Sequence, residues 1–535
     1  MMSRVRPFWL LLAVVIASTT LTILAMRRTS TTFDEIVMIA GGARGYSSGQ
    51  WQLAPEHPPF TQYMYGLLPY LSRPKYPNEG GVPAEAQKHM GYRYRYAQFF
   101  FFGEGNNPEL LAFLGRLPAV LCSLLLVLSA FAFTRRHYGD ATGVVAATIV
   151  AFLPDVLAHG GVAYNDIAIA FGFFASMWLI DDAVRRPTVS RAVFAGVMAG
   201  VTLGIKNSAI GLFPLAALLL AAEASTRLRD VTWWKQVASA AGLTLVVGYL
   251  TLVVVYRGDF ALSEYRYALD FVFRQVSGTR APSYMLGHIS TEGIWYYFPL
   301  AFLFKTSVAL HILLVLAVLY YVTRISSWRQ VVASPLRAPL LAAAVFGLML
   351  ATSQLHIGFR YALPLLPLMA VMIAPAVTRI WSSNWRRLRP LVAAALVWLV
   401  IHPLTYFPNF LAYVSEYGPG RSRNYELLAD SSLDWGQGLL QLRDYMHEHQ
   451  IDRVYLSYFG SAWPSGYGID YEPLLSFFPL PPGANKASGR PQYAAISATN
   501  LVGAYFGASD PYRRFREQEP DAVIANTIYV YRINE

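Results

Sequence analysis

About eleven apolar runs, separated by connections of which every second one carries an arginine cluster, fix what this chain can fold into. The runs fall at about 8–26, 110–134, 141–157, 165–180, 192–205, 208–222, 236–256, 294–322, 338–354, 358–378 and 390–406. About 20 apolar residues in a helix rise 1.5 Å each and cross a hydrocarbon layer of about 30 Å. The clusters are Arg135–Arg136, Arg185–Arg186–Arg191, Arg227–Arg229–Lys235, Arg324–Arg329–Arg337 and Arg379–Arg386–Arg387–Arg389. With the N-terminus inside, every one of them is cytoplasmic, as the positive-inside rule requires. Arg27 and Arg28 run against the rule locally and are outweighed by the later loops. The first run follows Arg4 and Arg6, and no small-x-small cleavage site closes it. It therefore reads as an anchor, not as a signal peptide.

Composition agrees. The chain is 55% hydrophobic and 14% charged, against about 25% charged in soluble domains. A soluble protein this apolar would expose large patches. The net charge of +11 sits in short clusters between apolar runs, so its partner is the lipid bilayer and no nucleic acid is expected. The one cysteine, Cys122, lies inside an apolar run, so the outer parts fold without an intrachain disulfide.

The expected fold is a polytopic α-helical membrane protein: a transmembrane domain over 1–408, with a first outer loop at 27–109, and a small extracytoplasmic α/β domain over 409–535. A loop of about 80 residues without structure of its own is uncommon. Its stretches "TQYMYGLLPYL" and "GYRYRYAQFFFFGEG" predict short interfacial helices. In the C-terminal part, "SSLDWGQGLLQLRDYMHEH" predicts a capped amphipathic helix, and "RVYLSYF", "QYAAIS" and "DAVIANTIYVYRI" predict strands.

This topology puts the chemistry outside. "TTFDEIVMIAGGARGYSSGQWQLAPEHPPF" carries Asp34, Glu35 and His57. The acid pair reads either as the first turn of a helix or as two coupled carboxylates, one of them a general base. Asp166, in "LAHGGVAYNDIAIAF", reads as a helix start or as a costly and therefore functional ionisable group at a membrane mouth. His159 lies in the same turn and reads more readily as a local hydrogen-bonder than as a metal ligand. His356 shares a short turn with Arg360. Arg116, Lys206 and Arg360 supply positive charge at the outer side. Snorkelling accounts for Arg116 and Arg257 and less well for Lys206, which interrupts "GVTLGIKNSAIGLF". Cations converging near carboxylates suit a phosphate. No Walker or dinucleotide fingerprint is present. No cofactor is called for, and a divalent metal has no clear motif: His288 and Glu292 stand at i, i+4, but two ligands do not make a site.

The blocks "FDE…HPPF", "GRLPAVL", "PDVLAHGGVAYNDIAIAF", "GVTLGIKNSAIGLFPL" and "HIGFRYALPLLPL" occur in this order. Over about 1–406 they resemble the protein O-mannosyltransferases and the bacterial aminoarabinose lipid A transferases, polytopic GT-C glycosyltransferases. "DSSLDWGQGLLQLRDYM" resembles a C-terminal segment of uncharacterised bacterial members. The resemblance implies a polyprenyl-phosphate sugar donor and inverting transfer to a lipid, glycan or protein hydroxyl at the outer face of the plasma membrane. It implies that Asp34 is the base, with Glu35 and Asp166 as further catalytic acids. It also implies that Arg116 meets the carrier phosphate and that His57 is the motif histidine; with Arg116 and His57, the outer-facing His159, Lys206, His356 and Arg360 are expected to bind substrate. The mannosyltransferases carry an extra luminal barrel domain that this chain lacks, which counts against a protein acceptor. The rival readings are a lipid-linked sugar transporter, favoured by Lys305 within its span, and a non-enzymatic assembly protein.

Overall fold

The structure is a computed structural model that describes all residues except 1, 52, 80–89, 278–280, 383–384, 484–489, 508 and 534–535. Among the described residues, six helices are long and apolar enough to cross a membrane: Pro7–Met26, Pro108–Tyr138, Asn165–Arg185, Asn207–Ala224, Val231–Val255 and Leu365–Ser382. Tyr297–Lys305 and Val308–Val322 form a pair bent by 113°, a seventh span if counted as one. The protein is an integral, multi-pass membrane protein.

All eleven apolar runs are helical, but the expectation of about eleven full spans is corrected to six or seven candidates. The helices Asp140–Ala151, Val189–Leu203, Arg337–Thr352 and Arg389–Leu404 are apolar yet shorter than a span. Local chemistry sets these limits. Pro154 opens a new helix, Pro154–His159, and so ends the one before it. Thr188 caps Val189–Leu203 by accepting from the Arg191 amide. Gly196 and Gly200 of that helix meet Val231–Val255 backbone to backbone. A Cβ on Gly200 would stand 2.6 Å from the Gly248 carbonyl, the small-xxx-small mode of membrane packing.

The arginine clusters gather at one end of the bundle. Arg136 and Arg191 pair with Asp182, Arg185 with Asp181, Arg227 with Glu223, and the buried Arg337 with both Asp181 and Glu223. The first outer loop folds at the other end. Helices Glu35–Ser48 and Phe60–Leu71 cross at Gly42 and Gly66, where any Cβ would clash with backbone. The helix Met90–Gln98 and a π-turn at Phe99–Gly103 follow, as the aromatic stretches predict.

A small hairpin, β1 (Ser283–Met285) and β2 (His288–Ser290), precedes the bent pair. His288 therefore lies on a strand, with Glu292 beyond it, and not on a helix face as their spacing allowed. The C-terminal part carries a mixed five-stranded sheet of β3 (Val454–Ser457), β4 (Tyr471–Pro473), β5 (Tyr493–Ser497), β6 (Ala522–Ile524) and β7 (Ile528–Arg532), in the order β4-β3-β5-β7-β6. β3 pairs in parallel with β4 and β5, while β7 runs antiparallel to β5 and β6. "DAVIANTIYVYRI", read as one strand, is a hairpin: Ala525 and Asn526 turn the chain at φ 54° and 57°. The predicted helix begins only at Leu439 and ends at Glu448. The residues before it, 430–438, form an irregular loop that packs into the membrane part. Lys305 ties this region down at the bend of the broken pair. Its buried ammonium donates to the carbonyls of Leu411, Tyr413 and Ser432 at 2.8, 2.9 and 2.8 Å.

A cationic candidate active site at the outer helix ends

Each polar side chain of the site sits where a helix starts or stops. Asp34 directly precedes Glu35–Ser48, Asp166 lies in the first turn of Asn165–Arg185, and Lys206 stands at the break before Asn207–Gly211. Arg360 lies in the single turn Phe359–Ala362. These ends meet at one place. The Arg360 guanidinium lies between two carboxylates, with Nη1 3.5 Å from Asp166 Oδ2 and Nη2 3.9 Å from Asp34 Oδ2. Lys206 Nζ donates to Asp166 Oδ1 at 2.5 Å.

Aromatic rings hold Arg360 in place. Its guanidinium carbon lies 5.1 Å from the Tyr164 ring centre, 5.1 Å from that of Tyr361 and 4.3 Å from that of Trp435. Nε donates to Ser431 Oγ at 3.0 Å. The surrounding rings and the fixed Nε leave the two terminal nitrogens facing Asp166 and Asp34. Arg360 Nη1 and Asp166 Oδ2 have no hydrogen-bond partner although both are buried. Buried polar groups in native folds are normally satisfied, and exceptions collect at functional sites. Lys206 Nζ lies 4.8 Å from the Tyr361 ring, and burial pushes its ammonium below the usual lysine range, against the opposing pull of Asp166.

Asp34 stands at the open edge, its side chain 23% exposed. The Tyr94 hydroxyl donates to its Oδ1 at 2.6 Å, which leaves Oδ2 facing Arg360. His57 joins the rim: its Nε2 stands 3.1 Å from the Tyr164 hydroxyl and 3.5 Å from Glu56 Oε1. Burial lowers its pKa, though Glu56 opposes this. His159 is buried, with Nδ1 4.0 Å from Asp166 Oδ2. Burial lowers it to about 4, so it is a neutral ring behind the carboxylate.

Three residues named from the sequence take other places. Glu35 does not couple to Asp34. It is fully buried and accepts from Arg116 Nε at 2.7 Å and Nη2 at 2.9 Å, from the Ala163 amide at 2.7 Å and from the Thr32 amide at 2.9 Å. Arg116 is correspondingly saturated, donating also to the carbonyls of Met26, Thr29 and Ser30 at 2.6, 3.0 and 2.8 Å. No N–H remains for a phosphate. His356 accepts from the Ile294 amide at 2.8 Å and stacks on Tyr297, so it fixes the start of the bent pair and does not line the cluster. Conversely, Trp435, Ser431, Tyr94 and Tyr164 hold the charged groups and were not singled out from the sequence. The run "DSSLDWG" carried the signal, two acids and a tryptophan in seven residues, but helix capping explained it equally well. In that run burial raises Asp430 to about 6 and Asp434 to about 7.

Two cavities are lined by the rim residue His57 or by chain neighbours of Lys206. One, of about 480 Å³ and apolar, runs between Asn165–Arg185, Val189–Leu203, Leu212–Ala224 and Val231–Val255, and reaches Leu203 and Leu212 on either side of Lys206. The other, of about 220 Å³, is lined by His57, Pro59, Tyr256 and Glu264. Among the described residues, no three His, Cys, Asp or Glu side chains stand together as metal ligands would.

Residues 111–251 match the model of a family described as dolichyl-phosphate-mannose-protein mannosyltransferase. The matched segment includes Asp166 and Lys206 and excludes Asp34 and Arg360. No curated protein matches the chain. Among solved structures, ArnT from Cupriavidus metallidurans bound to undecaprenyl phosphate is similar at 14% identity and TM-score 0.49, over 75% of this chain and 70% of that one. The Archaeoglobus fulgidus oligosaccharyltransferase in its apo form is similar at 14% identity and TM-score 0.45, over 86% and 63%.

Proposed function

We propose that the chain is a membrane glycosyltransferase that uses a polyprenyl-phosphate-linked sugar donor and transfers the sugar with inversion at the outer face, a reading supported by the match of residues 111–251 to the dolichyl-phosphate-mannose-protein mannosyltransferase family. The observation that carries this reading is Arg360, caged by three rings between Asp34 and Asp166, with Lys206 beside it. Two fixed cations suit a departing phosphate, and an open-edged carboxylate suits a base.

In this reading the carrier tail lies in the apolar cavity that ends at Leu203 and Leu212, which brings its phosphate to Lys206 and Arg360. Asp34 takes the proton of an acceptor hydroxyl. The hydroxyl oxygen bonds to the anomeric carbon from the face opposite the phosphate. The carbon–oxygen bond to phosphate breaks, and the electron pair leaves with polyprenyl phosphate, stabilised by the two cations. Asp166 orients Lys206 and Arg360 and takes no proton. His57 and His159 border the cluster as neutral rings. A polar site at one face differs from the midplane site between repeats that a transporter uses.

Arg360→Lys tests the reading. It keeps the charge but loses the planar fork and the ring cage. One charge-assisted hydrogen bond is worth about 1.5–3 kcal/mol, so activity is expected to fall about 10–150-fold. The loss should appear in donor titrations with purified protein, with the acceptor KM little changed. A purely acceptor-side loss would remove Arg360 from the carrier site.

Topology gives a second check. Cysteines placed at the exposed Ser48 and Ser509, in a Cys122→Ser background, should both react with an impermeant maleimide in intact cells. A cysteine at Ser225, at the arginine-rich end, should react only after permeabilisation. Labelling of Ser225 in intact cells would invert the orientation.

A further inference from the structure

Aromatic side chains without a role in holding the cations collect on the other side of Asp34. The Phe33 ring centre lies 5.2 Å from Tyr94 and 5.6 Å from Phe459. Tyr505 packs against Phe459 at 5.6 Å and Phe477 at 4.3 Å. These rings come from the start of the first outer loop, from the helix Met90–Gln98 and from three points of the C-terminal part, so the fold assembles them from a distance.

Two of the rings end on carboxylates. The Tyr94 hydroxyl donates to Asp34, and the Tyr505 hydroxyl donates to Asp430. Two hydrogen bonds and one ion-pair contact link the two acids. The Ser431 amide donates to Asp430 Oδ1 at 2.5 Å, Arg360 Nε donates to Ser431 Oγ at 3.0 Å, and Arg360 Nη2 lies 3.9 Å from Asp34. The wall is open on one side: Phe33 and Phe459 are buried, whereas Phe477 is 42% exposed.

Chemistry narrows what such a wall can take. A hydrocarbon chain would be served by the rings but would strand two carboxylates away from water, at a cost. An anionic group would meet Asp34 and Asp430 with like charge. A neutral sugar ring satisfies both features. Its C–H face lies on the negative face of an aromatic ring, and its hydroxyls donate to carboxylates, which only accept.

We propose that this wall is the acceptor subsite and that the acceptor is a neutral pyranose of a glycan. The sugar stacks on Phe477 and Tyr505, offers one hydroxyl to Asp34 and donates a neighbouring one to Asp430. The proposal rests on the glycosyl-transfer reading above and adds to it the class of the acceptor. In the transfer step the hydroxyl hydrogen goes to Asp34 and its oxygen to the anomeric carbon, with polyprenyl phosphate as the leaving group.

The test uses the full-length protein in nanodiscs and saturation-transfer NMR. The probes are methyl β-D-glucopyranoside, methyl β-D-galactopyranoside and methyl α-D-mannopyranoside, compared with sorbitol and a serine- and threonine-containing octapeptide. At least one pyranoside should take saturation on its ring C–H protons, and sorbitol and the peptide should not. Phe477→Ala should cut that signal at least about fivefold, and Phe477→Trp should keep it; the exposed position tolerates both. The proposal is overturned if no pyranoside is saturated, if Phe477→Ala leaves the signal unchanged, or if only the peptide binds. A thermal-shift titration of the same wild-type sample with undecaprenyl phosphate separates the two readings. A shift without pyranoside binding removes the acceptor class alone. The absence of any shift removes the donor reading, whatever the pyranosides do.

Discussion

Arg116→Ala is expected to destabilise the protein by about 3–5 kcal/mol while leaving the donor KM of the folded fraction unchanged. The pair it breaks is buried on both sides, with Arg116 1% and Glu35 0% exposed. Removing the cation strands the Glu35 carboxylate in the interior and frees the carbonyls of Met26, Thr29 and Ser30. These groups join the first span, the first outer loop and the helix Pro108–Tyr138, so their loss loosens the platform that carries Asp34. Glu35→Ala should cost a comparable amount, because it strands the guanidinium and the amides of Thr32 and Ala163. Replacing both together, Arg116→Met with Glu35→Leu, should recover part of the loss, since no charge remains unpaired. Recovery stays incomplete because the backbone groups still lack partners. Thermal unfolding in detergent, followed by size-exclusion chromatography, reads the effect. A tenfold rise in donor KM at unchanged stability would return Arg116 to the carrier site.

At Arg116 and Glu35 the local sequence and the three-dimensional contacts point to different roles. The apolar runs and the arginine clusters are long, periodic signals, and the structure gathers arginines of those clusters at one end of the bundle and the first outer loop at the other. Asp34, Asp166, Lys206 and Arg360 were legible because charge beside an apolar run is costly and needs a reason. What separates Asp34 from Glu35 is not in the local sequence. A one-residue step turns the side chain about 100° on a helix, and here that step decides between the open cleft and Arg116, more than 80 positions away. The same holds for Trp435 and Ser431. Their partner, Arg360, is about 70 residues earlier in the chain, and only the fold-back of the C-terminal loop brings them under it. The run "DSSLDWG" matched a capped helix in composition, and the bland reading prevailed because capping is local and a long-range cage is not. Helix limits failed for a related reason. Pro154 and the Lys305–Ser307 bend cut apolar runs that hydropathy alone joins.

Asp34→Asn should lower the transfer rate by at least about 100-fold, the usual size of a general-base contribution. The substitution keeps the shape, and the amide oxygen can still accept from Tyr94, whose hydroxyl lies 2.6 Å from Oδ1. The amide nitrogen then faces Arg360 at about the 3.9 Å that Oδ2 occupies, far enough to avoid a forced donor–donor contact. Expression and unfolding temperature should therefore match the wild type, in contrast to Arg116→Ala. Donor KM should stay within about threefold, because Lys206 and Arg360 remain in place and a base acts on the acceptor proton, not on ground-state phosphate binding. The effect should sit in kcat. Purified variants assayed with a radiolabelled polyprenyl-phosphate sugar, at saturating donor, separate these terms. Retention of more than a tenth of the wild-type rate would show that Asp34 does not take the proton. Asp430 would then be the next carboxylate to test, since it stands across the same frame of Ser431 and Arg360.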